Sequence, residues 1–344
     1  MKVVIIGAGP AGVTVAETLR QHDSAEIVMI SSEPYPPYSP PAMLEYFSTG
    51  REVHFWKGKD FPQALNIDYR PGAKVEAIVP GGREVRLAGG ELIHYDRLVL
   101  ASGARLYAPV KGEDKPGVYN FKSLSAAEEL MSKVRDGRAQ NALVVGAGFI
   151  GVEVGLLLAD MGLKVTQLVR SRVMRSMLDE ETSQMVLAVM EKRGIRVLRG
   201  ADVDAVAFVG ETRAEGVQTR SGDVLQADLI IAATGLKPNI EYLDGCGVVT
   251  DWGVLVDDHL RTNFAEISAA GDVAETANRI TGRRFAHGNF PNALAQGRVV
   301  AYNLLGWDTC YEGADSMNSL KHLGLPLIAV GQMGGEELRA RRGD

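Results

Sequence analysis

One spacing of three glycines occurs twice in this chain, as Gly7-x-Gly9-x-x-Gly12 and as Gly146-x-Gly148-x-x-Gly151. Between a strand and a helix this spacing suits a pyrophosphate. The first glycine permits the tight turn, the second lets backbone approach the phosphates, and the third lets helix pack on strand. The helix that follows offers unpaired N–H groups and a partial positive charge to the anion. Pro10 and Ala11, and Phe149 and Ile150, fill the intervening positions. A carboxylate at the end of the next strand normally takes a ribose hydroxyl. After the first turn that strand ends Ile30-Ser31-Ser32-Glu33, so Glu33, 21 residues beyond Gly12, is the candidate, with Ser31 standing where an acid is often found.

After the second turn the strand runs into Val169-Arg170-Ser171-Arg172, with Arg175 close by, and no acid awaits a 2′-hydroxyl. Arg170 and Arg172 can pair with a 2′-phosphate through bidentate hydrogen bonds, or belong to a solvated loop. Gly151 is more usual in NAD-binding turns, so NADH and NADPH both stay open. The chain has two cysteines, Cys246 and Cys310. They build neither a disulfide framework nor a Cys-x-x-Cys redox or metal motif, and both are expected to be small buried hydrophobes. No metal is expected.

The elements that must position these groups are legible as two βαβ units. The first has a strand from Lys2 to Ile6, a helix from the turn to about Arg20, and a strand from Ala25 to Ile30. The second has a strand from Asn141 to Val145, a helix to about Met161, and a strand from Leu163 to Val169. Two apolar runs end in small, flexible corners, Tyr95 to Gly103 and Ala227 to Gly235. They read as parallel strands buried between helices on both faces. Turn signals at Pro80-Gly81-Gly82 and Ser221-Gly222-Asp223 mark small antiparallel insertions. The 344 residues suffice for about two packed domains. The fold class is therefore α/β with two Rossmann-like dinucleotide-binding domains.

A formal charge of -6 argues against nucleic acid and anionic membrane as partners. No run of about 18 apolar residues occurs, and Met1-Lys2 passes straight into Val3-Val4-Ile5-Ile6 without the regions of a signal peptide. A cytoplasmic protein is expected.

Six motifs in order carry a resemblance: Gly7-Ala8-Gly9-Pro10-Ala11-Gly12, Tyr35-Pro36-Pro37-Tyr38-Ser39, Ala101-Ser102-Gly103-Ala104, Gly146-Ala147-Gly148-Phe149-Ile150-Gly151-Val152-Glu153, Ala233-Thr234-Gly235 and Ala270-Gly271-Asp272-Val273-Ala274. Over nearly its whole length the chain resembles the FAD-dependent pyridine nucleotide-disulfide oxidoreductase superfamily, especially its NADH oxidase, nitrite reductase flavin-domain and ferredoxin or rubredoxin reductase branch. The resemblance implies three-layer ββα domains, with an NAD(P)H domain at 111–243 inserted into an FAD domain at 1–110 and 244–315. Residues 316–344 would start a C-terminal interface segment of a homo- or hetero-oligomer.

FAD would be held by Gly7, Gly9, Pro10, Ala11, Gly12, Glu33, Val75, Ala101, Ser102, Gly103, Gly271, Asp272, Asn292 and Ala293. Asp272 would accept a hydrogen bond from the ribityl chain, although it also reads as a helix cap. Pro291-Asn292-Ala293 would start a helix beside the flavin pyrimidine ring. NAD(P)H would meet Gly146, Gly148, Phe149, Ile150, Gly151, Arg170, Arg172, Ala233, Thr234 and Gly235. Glu153, expected in the first turn of its helix, is the catalytic candidate beside flavin and nicotinamide ribose, and an acid there also suits the helix dipole.

The chain departs from the superfamily where relatives carry a redox cysteine. It reads Tyr38-Ser39-Pro40-Pro41-Ala42-Met43, and the arginine and lysine that ferredoxin reductases often hold between Pro40 and Glu45 are missing as well. The expected chemistry is hydride transfer from nicotinamide to flavin N5, then single electrons to rubredoxin, ferredoxin or an iron-sulfur subunit. Arg279-Ile280-Thr281-Gly282-Arg283-Arg284 could steer such an acidic carrier, or be a solvated loop. A cysteine-free NAD(P)H oxidase using dioxygen and a flavin-bound regulatory subunit are the alternatives.

Overall fold

A computed structural model describes residues 1–320, 323–324 and 327–331. The chain divides into two compact units. Unit 1 comprises Met1–Tyr107, Tyr119–Arg138 and Gly235–Ala314; unit 2 comprises Ala108–Val118, Ala139–Thr234 and the described residues from Asp315 onward.

Unit 1 is built on five parallel strands in the order Ile267–Ala269, Arg97–Leu100, Lys2–Ile6, Glu26–Ser31, Asp68–Pro71. Val3, Val4 and Ile5 are fully buried, as a central strand requires. The first glycine turn leaves the carboxyl end of this strand, where Ile6 sits between Ile30 and Leu100. That crevice is where open α/β sheets bind ligands. The helix Pro10–His22 then packs along Phe290–Leu304, and a side chain at Gly297 would meet the Ala11 carbonyl at 2.6 Å, so glycine sets the approach.

Unit 2 repeats the plan with strands in the order Arg196–Arg199, Lys164–Val169, Asn141–Val145, Leu229–Ala232, all parallel. Leu143, Val145, Leu168, Ile230 and Ala232 pack against Ala205, Phe208 and Val217 of a three-stranded antiparallel meander. Alternate residues face the other way, where the helix Phe149–Asp160 lies. The apolar runs by themselves suggested helices on both faces; an antiparallel meander covers one instead, which is the three-layer ββα arrangement that the resemblance implies. An apolar run shows that both faces of a strand are buried but not by which element. Unit 1 carries the matching meander, Val75–Val79, Glu84–Leu87 and Leu92–His94.

The expected limits at 110 and 243 do not coincide with this division. Leu124–Arg135 packs in unit 1 because its first turn donates to unit 1 side chains: Leu124 N to Tyr38 at 2.9 Å and Ser125 N to Glu33 at 2.9 Å. Gly235–Pro238 joins unit 1 because it pairs antiparallel with Ala104–Tyr107. Of the expected interface segment, Met317–Leu320 and Leu327–Val330 form an antiparallel hairpin; 321–322, 325–326 and 332–344 lie outside the described residues. Among the described residues, no helix is long and apolar enough to cross a membrane.

Candidate functional site

The three glycines of each turn do different work. In unit 1, Gly7 has φ +114°, and a Cβ on it would lie 2.0 Å from the Ala101 carbonyl oxygen; one on Gly12 would lie 2.1 Å from the Gly7 carbonyl oxygen. In unit 2, Gly146 (φ +104°) would meet the Ala233 carbonyl oxygen at 2.4 Å, and Gly151 the Gly146 carbonyl oxygen at 2.6 Å. The protein's own backbone therefore requires the outer two glycines, with Ala101 and Ala233 as matching walls. The middle glycine is different. Around Gly9 and Gly148 a Cβ would meet nothing within 4 Å, and both are extended, at φ -77° and -75°, a conformation open to any residue. Each occupies the N-cap of a helix of 13 or 12 residues and makes no side-chain cap. Ser, Asp and Asn lead at that position and glycine is accepted about as well as Thr, but only glycine adds no side chain to the space in front of the helix. A bare glycine leaves first-turn N–H groups facing open space, the cradle a pyrophosphate fits.

Glu33 is held through one of its two carboxylate oxygens. Its Oε2 accepts from Tyr38 Oη at 3.2 Å and Ser125 N at 2.9 Å, while among the described residues nothing donates to Oε1. Ser31, buried in the position where an acid is common, accepts from Glu33 N at 3.1 Å and so shapes the loop. Burial, then the Glu33 charge, pushes the Tyr38 phenol well above its ordinary range, so it remains a donor.

Asp272 does not cap a helix. It sits in the short turn Gly271–Val273 behind Ala270, and the cap of the next helix is Asn289, whose side chain accepts from Asn292 N at 2.9 Å. That helix starts at Phe290, one residue before the expected Pro291. Gly271 N donates to Gln296 Oε1 at 2.6 Å, and its would-be Cβ lies 3.0 Å from Ala11 Cβ and 3.9 Å from Ala293 Cβ. Ala11, Gly271 and Ala293 thus lie together. Ser102 is engaged elsewhere, its hydroxyl donating to the Asn239 carbonyl at 2.8 Å and lying 3.0 Å from Tyr242 Oη. Val75 buries its side chain in the core, leaving only backbone for a ligand. Among the described residues, His287 Nε2 is buried without a hydrogen-bond partner, and burial lowers the imidazole pKa from its ordinary value.

Sequence reasoning missed Lys122. Its Nζ lies 2.7 Å from Asp272 Oδ2, with the two side chains 17% and 13% exposed. The only sign was a lone lysine just before Ser123, the N-cap of Leu124–Arg135. A cation this sheltered beside Asp272 can offset a cofactor's negative charge. Lys122→Met is expected to weaken FAD binding about tenfold, or about 1.4 kcal/mol, in titrations of apoprotein followed by flavin fluorescence. A lowered melting temperature with unchanged FAD affinity would make the pair structural only.

In unit 2, Glu153 lies in the second turn of Phe149–Asp160, not the first as expected, so the dipole explains it less well. It is 6% exposed on a helix buried all round. Arg170 is exposed, but the Arg172 guanidinium is spent on its own loop, donating to the Leu178 carbonyl at 2.6 Å, the Arg175 carbonyl at 3.1 Å and Glu180 at 3.2 Å. Beside them is a cleft of about 440 Å³ lined by Ser171, Arg172, Arg175 and Arg199.

The cysteines depart from expectation. Cys246 is half-buried against the unit 1 core, but Cys310 is exposed, its Sγ 3.5 Å from His259 Nε2. The stretch without a redox cysteine forms a tight turn, Pro40–Ala42, after buried Ser39. The basic segment offers less free charge than it contains, because Arg284 donates to the Val256 and Glu275 carbonyls and Arg279 lies 3.9 Å from Glu312. Among the described residues, no group of His, Cys, Asp and Glu is placed to hold a metal ion.

The chain is 34% identical over 319 residues to rhodocoxin reductase of Rhodococcus erythropolis, covering 90% of this chain and 74% of that one. It is 28% identical to the assimilatory nitrate reductase electron transfer subunit of Bacillus subtilis, covering 98% of this chain but only 43% of the longer relative. The crystal structure of the ferredoxin reductase for the CYP199A2 system from Rhodopseudomonas palustris superposes with a TM-score of 0.88 at 31% identity, over 100% of this chain and 85% of that one. The family model for pyridine nucleotide-disulphide oxidoreductases matches residues 1–297. That family uses FAD and NAD(P)H. With two open glycine cradles, each at a helix N-terminus beside the carboxyl end of a parallel sheet, the chain belongs to the pyridine nucleotide-disulphide oxidoreductase family.

Proposed function

We propose that this chain is an FAD-dependent NAD(P)H oxidoreductase that delivers electrons to a small electron-carrier protein or an iron-sulfur subunit. The observation that carries the reading is the bare middle glycine of both turns, Gly9 and Gly148, where the fold leaves room for a side chain and a helix N-cap would accept Ser, Thr, Asp or Asn as readily as glycine. Bound flavin takes hydride from reduced nicotinamide and can release electrons singly. The protein's part is binding, orientation and charge. Helix N–H groups after Gly9 receive the FAD pyrophosphate, Glu33 Oε1 takes a ribose hydroxyl, and Asp272 with Lys122 meets the more distal part of the cofactor. Asn289 fixes the start of Phe290–Leu304, whose positive end suits a negatively charged ring. Gly148 and the helix behind it receive the nicotinamide dinucleotide.

A protein acceptor is favoured over a disulfide because Ser39, Pro40 and Pro41 stand where relatives place a thiolate. The names of the Rhodococcus and Rhodopseudomonas relatives also point to carrier proteins. Steady-state assays with ferredoxin, rubredoxin and dioxygen as acceptors are expected to give carrier reduction at rates well above oxygen consumption. Oxygen consumption as fast as carrier reduction would favour an oxidase instead.

A further inference from the structure

We propose that this chain selects NADPH over NADH through a 2′-phosphate site formed by Arg170, Arg175 and Arg199; the inference rests on the second glycine turn being the nicotinamide dinucleotide site. Position comes first. Lys164–Val169 is the strand beside the central strand of unit 2, with Leu168 paired to Val145, and its carboxyl end is where a dinucleotide's adenosine ribose lies. Arg170 follows that strand directly. Arg199 ends the neighbouring strand, and Gly200 N donates to the Val169 carbonyl at 3.1 Å, which keeps the two strand ends together. Arg175 lines the same cleft as Arg199.

Charge is the second argument. NAD-selective sites place a free acid here to accept from the 2′-hydroxyl, and each acid in this loop is already committed. Asp179 caps its helix through Thr182 N at 2.7 Å, while Glu180, on the cleft wall, meets Gln184 at 2.9 Å and Arg172 at 3.2 Å. The arginines are the reverse. Arg170, Arg175 and Arg199 are exposed, and among the described residues none is in an ion pair within 4 Å, Arg199 acting on Glu180 only at longer range, whereas Arg193 and Arg220 of the same unit hold Asp160 and Asp204. Three exposed cations outside any close ion pair, in a chain with net charge -6, match a phosphate dianion rather than a hydroxyl. Arg172 positions rather than binds, since its bonds to the Leu178 and Arg175 carbonyls set the loop that presents Arg170 and Arg175.

The test uses FAD-loaded protein, with adenosine 2′,5′-bisphosphate and adenosine 5′-monophosphate as calorimetric probes, alongside anaerobic reduction by NADPH and NADH. The bisphosphate is expected to bind about tenfold or more tighter, by analogy with other charge-assisted phosphate contacts. NADPH should reduce the flavin at correspondingly lower concentration than NADH. In Arg170→Ala/Arg175→Ala, and again in Arg199→Ala, the ratio between the two probes should collapse toward unity, and raising salt should narrow it in the parent. Equal affinities in the parent protein, or a preference surviving in both variants, would overturn the 2′-phosphate site while leaving the dinucleotide reading intact. Failure of both nucleotides to bind or to reduce the flavin would instead overturn that reading and this site with it.

Discussion

Gly9→Leu is expected to yield folded protein that purifies without FAD, its affinity for the cofactor lowered by at least about 100-fold, or about 2.7 kcal/mol. The separation of folding from binding follows from geometry. At Gly9 the backbone is extended and a Cβ meets nothing within 4 Å, so the fold has no reason to reject a larger residue. The leucine would instead fill the space that first-turn N–H groups need for a pyrophosphate. Gly7→Ala is the control. Its Cβ would lie 2.0 Å from the Ala101 carbonyl oxygen at φ +114°, so loss of stability of about 3 kcal/mol or more is expected, whether or not cofactor is present. Circular dichroism melting separates the two outcomes. A Gly9→Leu protein that retains stoichiometric FAD would remove the first turn from the cofactor site.

The second large effect is at Gly148. Gly148→Leu is expected to retain FAD and a native melting profile while the rate of flavin reduction by reduced nicotinamide falls by about two orders of magnitude at fixed nucleotide concentration. Gly148 repeats the Gly9 geometry in the other unit, extended at the N-cap with nothing within 4 Å of a Cβ. Dithionite should still bleach the flavin in this variant, which shows that the cofactor is intact. Anaerobic stopped-flow spectroscopy reads both. Ordinary reduction kinetics would place the nicotinamide elsewhere.

The parts of this molecule most legible in the sequence are those whose residue types are obligatory. Lys2–Ile6 and Asn141–Val145 match their expected bounds, because buried parallel strands leave no polar alternation to blur their ends. The glycine turns fall where their spacing puts them. Features set by tertiary contact are less legible. Lys122 meets Asp272 across a separation of 150 residues, and no local pattern announces that pair. The Leu124–Arg135 helix joins unit 1 through Glu33 and Tyr38, contacts of 92 and 86 residues' separation, although its sequence position lies within the stretch expected to bind nicotinamide. Arg172 reads locally like Arg170, and only the folded loop shows that its guanidinium is spent on neighbouring carbonyls. The exposure of Cys310 is likewise set by what packs around it, not by residue type.

The most direct test is anaerobic titration of the purified protein with NADPH, following flavin absorbance. The account predicts FAD at one equivalent per chain, fully bleached by one equivalent of NADPH and reoxidised by an added ferredoxin. Protein that contains no FAD after reconstitution, or flavin that neither NADPH nor NADH can bleach, would contradict it.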